Sequence, residues 1–143
     1  MALRVIYTRR ATLSSVAIRL AAWGGPWSHC GLIVGTDVVE CLASRGGVVL
    51  TPLADVMAHS SAHEMVDIEC PDPQRGITWA LSTLGRPYDW TGVIGIPFRR
   101  RQWADDGRWY CSEHVERAVM EAGRVRFRDG LPGVSPTASY YAR

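Results

Sequence analysis

The sequence predicts an α+β domain with an antiparallel sheet. Two observations carry this. Short alternating or β-rich runs crowd the first half of the chain, and apolar stripes of helical spacing dominate the second. The order reads strand, helix, a run of strands, helix, helix, a pattern that belongs to an α+β domain.

Leu3-Arg4-Val5-Ile6-Tyr7 alternates and is β-rich, a first strand. Ala11 to Trp23 reads as a helix, with Leu13, Val16, Ala17, Leu20 and Ala21 on one face, and Gly24-Gly25-Pro26 breaks it. Ser28 to Val34 is a buried strand. Gly35-Thr36-Asp37 turns the chain into a second strand, Val38 to Leu42, and the short connection makes the two a hairpin. Gly46 to Leu50 is a third short strand, and Pro52 opens a short helix to about Met57. Glu64 to Glu69 alternates as a further strand. Pro73 to Leu84 is a helix with proline at its start and Gly85 at its end. Thr91 to Phe98 is apolar and glycine-rich and fits either strand or helix. Arg99-Arg100-Arg101 is a charged loop. From Cys111 onward Val115, Ala118, Val119 and Ala122 form one buried stripe, stopped by Gly123. The tail from Leu131 to Thr137 is loop, followed by a helical turn through Tyr141.

The 143 residues and 47% hydrophobic content suit one domain, residues 1–143, with a real core. A formal net charge of +2 does not argue for a nucleic-acid partner. All 16 basic residues are arginine, which reads as coding bias because no cluster explains it. Cys30, Cys41, Cys70 and Cys111 form no CxxC pair. The N-terminus shows no signal peptide and no apolar run is long enough to span a bilayer, so a disulfide framework and a transmembrane segment are not expected. The expected setting is cytoplasmic, or phage- or virion-associated. No cofactor is implied, and no metal: a site built from His29, Cys30 and Cys41 lacks ligand spacing, and strand neighbours point to opposite faces.

Cys111 sits where a glycine- and charge-rich loop, Asp105-Asp106-Gly107, feeds into a helix. Unpaired N–H groups and the positive dipole end of a first turn favour an anion, so a thiol there ionises more readily. His29 begins a strand and Glu40 lies on the next one. In a hairpin turning at Gly35 to Asp37 they fall roughly opposite each other, about 5 Å apart, where a carboxylate can hold the imidazole in one tautomer. Glu40 lies between Val39 and Cys41, on the face opposite both. Together the three residues make a thiol hydrolase or acyltransferase set, with the Cys111 backbone N–H as an oxyanion donor. Taken singly each has a plain structural alternative: a buried thiol, a structural histidine, a surface carboxylate. Cys30, Cys41 and Cys70 fit the buried-thiol reading. His114, three residues after Cys111, is the rival base, but it would have to bend back toward the helix start. His59 and His63 sit in a polar loop.

These motifs resemble a known family. Trp27 to Val34, with Ser28-His29-Cys30-Gly31-Leu32, resembles the SHxGl strand of the circularly permuted NlpC-type, papain-like hydrolases. Val38-Val39-Glu40, Gly47-Val48 and Pro52-Leu53 resemble their next stretch. Gly85 to Trp90 resembles their G.pYdw turn, Trp109 to Glu113 their yCSE helix start, and Val134-Ser135-Pro136 their closing element. The group includes YiiX-like and YaeF-like bacterial proteins and relatives of lecithin:retinol acyltransferase. The resemblance implies a permuted papain-like fold in which an antiparallel sheet packs against the cysteine helix. It also implies Cys111 as nucleophile, His29 as base and Glu40 as the third, polar position. Cys30 departs from the pattern, where a small apolar residue is commoner, and is expected to point into the core.

The expected activity is that of a cysteine peptidase or amidase acting on a peptide or peptidoglycan amide through an acyl-enzyme. The same chemistry with a different acceptor gives a thiol acyltransferase or lipase-like enzyme acting on lipid acyl groups, with Ile94, Ile96, Pro97 and Phe98 as candidates for an apolar surface. A non-catalytic binding domain on the same fold is the third expectation.

Overall fold

The computed structural model describes residues 1–11, 24–90, 107–127 and 134–142. The helix expected at Ala11 to Trp23, the segment Thr91 to Phe98 and the arginines at 99–101 lie outside the described residues. Five strands, β1 (Ala2–Arg9), β2 (His29–Val34), β3 (Asp37–Leu42), β4 (Gly47–Pro52) and β5 (Ala62–Glu69), form one sheet in the order β4-β3-β2-β1-β5. Every neighbouring pair is antiparallel. Four helices accompany it among the described residues: α1 (Leu53–Ala58), α2 (Pro73–Ser82), α3 (Cys111–Glu121) and α4 (Pro136–Tyr141). The architecture is α+β, as the element order predicts. None of the described helices is long and apolar enough to cross a membrane.

The sheet has two different faces because strand side chains alternate. Leu3, Val5, Tyr7, Cys30, Leu32, Val39, Cys41 and Val48 point to one face and share a core with Cys111, Val115, Ala118, Val119 and Ala122 of α3. Ile6 and Val38 point to the other and pack with Val56 of α1. Each fully buried Val or Leu contributes roughly 1.5–3 kcal/mol, so the apolar stripe of α3 is what fixes the helix, and with it Cys111, against β2 and β3. Helix α3 ends where the sequence says: Ala122 caps it and Gly123 takes φ 88°, a left-handed conformation that costs glycine little.

The helix starts differ in a way that bears on the site. Asp72 caps α2 by accepting from the Arg75 N–H at 3.1 Å, and Ser135 caps α4 by accepting from the Ala138 N–H at 3.1 Å. Tyr110 at the start of α3 supplies no side-chain cap. A tyrosine carries no short side-chain acceptor to reach the first-turn N–H groups, unlike Asp72 and Ser135. The segment before it is held by backbone bonds instead. Val48 N–H donates to the Arg86 carbonyl at 2.9 Å, Tyr88 N–H to Gly46 at 2.9 Å, Trp109 N–H to Pro87 at 3.1 Å and Asp89 N–H to Trp109 at 2.9 Å. These bonds tie the Gly85 to Trp90 turn to β4 and aim Tyr110-Cys111 at the end of the sheet where β2 begins.

Candidate active site

The structure brings Cys111, His29 and Glu40 together. His29 Nε2 lies 2.6 Å from Glu40 Oε2, and the Cys111 thiol is close enough to the imidazole to raise its pKa. All three are buried, with residue exposures of 5% for Cys111, 8% for His29 and 1% for Glu40.

The register corrects one expectation. His29 and Glu40 are not opposite each other: Gly31 pairs with Glu40, so His29 lies two residues off, on the diagonal. Diagonal neighbours on an antiparallel sheet are normally too far apart for a hydrogen bond. Long polar side chains close the gap here because the intervening residue is glycine. A Cβ on Gly31 would stand 2.5 Å from Val38 Cγ1 and 3.1 Å from the Glu40 Cβ.

Electrostatics favour an ionised pair. Burial alone would lower the His29 pKa, but hydrogen bonds to Cys111 and Glu40 and their negative charges outweigh it and hold the imidazolium up to about 9. The Cys111 thiol is held well below its ordinary value. The Cys30 thiol's hydrogen bond contributes most and burial opposes it; the His29 hydrogen bond and charge and the Cys30 backbone then add to the lowering. Glu40 is held below the usual carboxylate range: burial opposes this, and His29, then the Thr51 side chain, then the charge of Arg10 overcome it.

Two neighbours were given no part in the site by the sequence reading. Cys30 does point into the core, as expected, but that is also the side on which α3 lies, so its thiol meets Cys111. Strand alternation carried the signal: the face opposite His29 is the face toward the cysteine helix. Arg10 Nη2 donates to Glu40 Oε2 at 3.1 Å, and a lone arginine after a strand has no pattern to announce it. His114, the rival base, is turned away into the α2–α3 seam. Its Nε2 lies 2.7 Å from Thr83 Oγ1, its ring packs on Trp79 at 5.1 Å, and burial pushes its pKa down to about 4. A cavity of about 440 Å³ nearby is lined by Trp79, Ser82, Thr83, Arg86, Trp109 and Arg117, and none of the three clustered residues borders it. His59 and His63 are exposed. Ile94, Ile96, Pro97 and Phe98 lie outside the described residues.

No family model matches the chain, and no curated protein does. Among solved structures, yiiX from Escherichia coli O157:H7 aligns with a TM-score of 0.65 and 27% identity, over 88% of this chain and 68% of that one. The chain is similar to yiiX in sequence and in fold. That crystal structure is described as a metalloprotein. Among the described residues no group of three His, Cys, Asp or Glu side chains converges to hold an ion.

Proposed function

We propose that the chain is a cysteine hydrolase of the permuted papain-like, NlpC-type group that cleaves an amide bond in a peptide or in peptidoglycan. The observation that supports this reading is the setting of the imidazole: His29 meets Glu40 Oε2 at 2.6 Å, and His29 and the Cys111 thiol shift each other toward the ionised pair. The Cys111 thiolate attacks the carbonyl carbon, forming a C–S bond while the carbonyl electrons move to oxygen. The Cys111 backbone N–H, at the uncapped first turn of α3, donates to that oxygen. Imidazolium His29 gives its proton to the leaving amine as the C–N bond breaks, leaving a thioester. Neutral His29 then takes a proton from water, the hydroxide attacks the thioester, and the acid leaves with the thiolate restored. Glu40 holds the ring in one orientation throughout.

With Cys111 only 5% and His29 8% exposed, an acyl donor must displace neighbouring side chains to reach the sulfur. This burial is the one observation that favours a second reading, a non-catalytic domain on the same fold. Intact-mass measurement separates the two. Incubation with peptide amides, peptidoglycan stem-peptide fragments and lipid acyl esters should leave an acyl adduct on Cys111 with at least one donor class, absent in Cys111→Ser. An adduct from a lipid ester alone moves the assignment to acyl transfer. No adduct from any donor supports the non-catalytic domain.

A further inference from the structure

Arg10 follows the last residue of β1, at the end of the sheet where β2 begins. Its backbone N–H donates to Ser28 Oγ at 3.2 Å, which anchors the chain beside His29. Its guanidinium Nη2 donates to Glu40 Oε2 at 3.1 Å, the same oxygen that meets His29 Nε2 at 2.6 Å. The Arg10 side chain is 20% exposed and that of Glu40 is 0% exposed. One fully buried carboxylate oxygen therefore serves an imidazole and a guanidinium at once.

The two partners of Glu40 differ in what they do as a proton moves. His29 is a cation only half of the time in the cycle proposed above. When it is neutral, a buried carboxylate with no other cation beside it bears its desolvation cost alone and tends to take up a proton. A protonated Glu40 would become a hydrogen-bond donor, and the ring would lose the acceptor that orients it. A guanidinium stays charged at every pH in which the protein folds. It is therefore a counter-charge that does not come and go with the imidazole proton.

We infer that Arg10 is a positioning residue acting through Glu40: it keeps this carboxylate ionised and its Oε2 aimed at the ring in both protonation states of His29, and it limits how tightly the ring holds its proton. This rests on the role proposed for Cys111 and His29, and on no particular substrate. The groups that face His29 and Glu40 come from several elements: Cys111 from α3, Glu40 and Cys41 from β3, Cys30 from β2 and Arg10 from beyond β1. Arg10 is the permanent cation of that set. Removing it acts on the ring in one of two ways: if Glu40 stays ionised the imidazolium is favoured, and if Glu40 takes up a proton the imidazolium loses its partner.

The test is an NMR titration of the His29 ring in the full-length chain and in Arg10→Lys, Arg10→Gln and Arg10→Met, with iodoacetamide alkylation of Cys111 measured in parallel. Both neutral variants should shift the His29 midpoint by about one pH unit, upward where Glu40 stays ionised and downward where it takes up the proton, while Arg10→Lys stays within a few tenths. Two neutral replacements of different shape keep the reading if one folds poorly. A midpoint that is unchanged in the neutral variants overturns the inference: Arg10 would then be only a staple for the end of β1. Slow Cys111 alkylation in the unmodified chain is a different failure, which refutes the proposed function and leaves the Arg10 titration to be read by itself.

Discussion

His29 and Glu40 touch across a diagonal of the β2–β3 pair, 2.6 Å apart at Nε2 and Oε2, because Gly31 stands opposite Glu40 and has no side chain to fill the space. The site thus depends on a residue that does no chemistry. A Cβ at Gly31 would crowd Val38 and Glu40. Gly31→Val should therefore destabilise the fold by about 1–3 kcal/mol and slow Cys111 alkylation at neutral pH about as much as Glu40→Gln does. Urea unfolding and labelling on the same sample check both. An unimpaired labelling rate in Gly31→Val would show that the carboxylate does not need this gap.

The strands, the β2–β3 hairpin and helices α1 to α4 were legible because periodicity records burial directly. Val115, Ala118, Val119 and Ala122 are apolar because they are inside, and they are all at or below 1% exposed. Cys111 and His29 were legible from position, one at a helix start and one at a strand start. The exact pairing was not. The sequence alone does not say at which residues the hairpin closes, and so whether Glu40 faces residue 29 or, as observed, residue 31. Arg10 was missed because one charged residue after a strand makes no pattern. Glu116 and Arg126 were missed for a related reason: a buried ion pair looks, in sequence, like two solvated charges.

The pH dependence of stability follows from the His29 pair. The folded-state pKa of His29 is raised to about 9 from an ordinary 6.5. Its contribution is fully present below about 6.5 and is lost as pH rises through about 9. Glu40→Gln removes one of the two partners that raise it, so the loss of stability between these limits should shrink. Urea unfolding at pH 6 and at pH 9.5 measures the difference. A variant with the same pH slope as the parent would mean that Glu40 does not hold the imidazolium.

His114 should act in the opposite sense. Burial lowers its folded-state pKa to about 4 from 6.5, so the unfolded chain binds its proton first. Stability contributed by neutral His114 is present above about 6.5 and lost as pH falls toward 4, by roughly 3 kcal/mol in all. His114→Gln keeps a polar group near Thr83 but cannot titrate, and its unfolding free energy should vary less between pH 7 and pH 4.5. It should leave Cys111 labelling at neutral pH unchanged.

The tail is fastened by a buried ion pair. Arg126 reaches Glu116 with two nitrogens, Nε at 3.1 Å and Nη2 closer, and the two side chains are 2% and 1% exposed. Ser139 of α4 donates to the same carboxylate at 2.5 Å and meets the Tyr7 hydroxyl at 2.8 Å. Removing one ion partner strands the other, so Arg126→Met and Glu116→Gln should each cost about 3–5 kcal/mol. The double variant should cost less than the sum of the two. A double-mutant cycle by urea unfolding reads this coupling, and strict additivity would remove it.

The central claim is that Cys111 exists as a thiolate paired with the His29 imidazolium. Site-resolved iodoacetamide labelling of the native chain near pH 7, read by mass spectrometry, tests it most directly. Cys111 should react at least tenfold faster than Cys30, Cys41 and Cys70 despite its burial, and His29→Ala should remove that advantage. Four cysteines labelling at one common slow rate, or a Cys111 rate indifferent to His29→Ala, would contradict it.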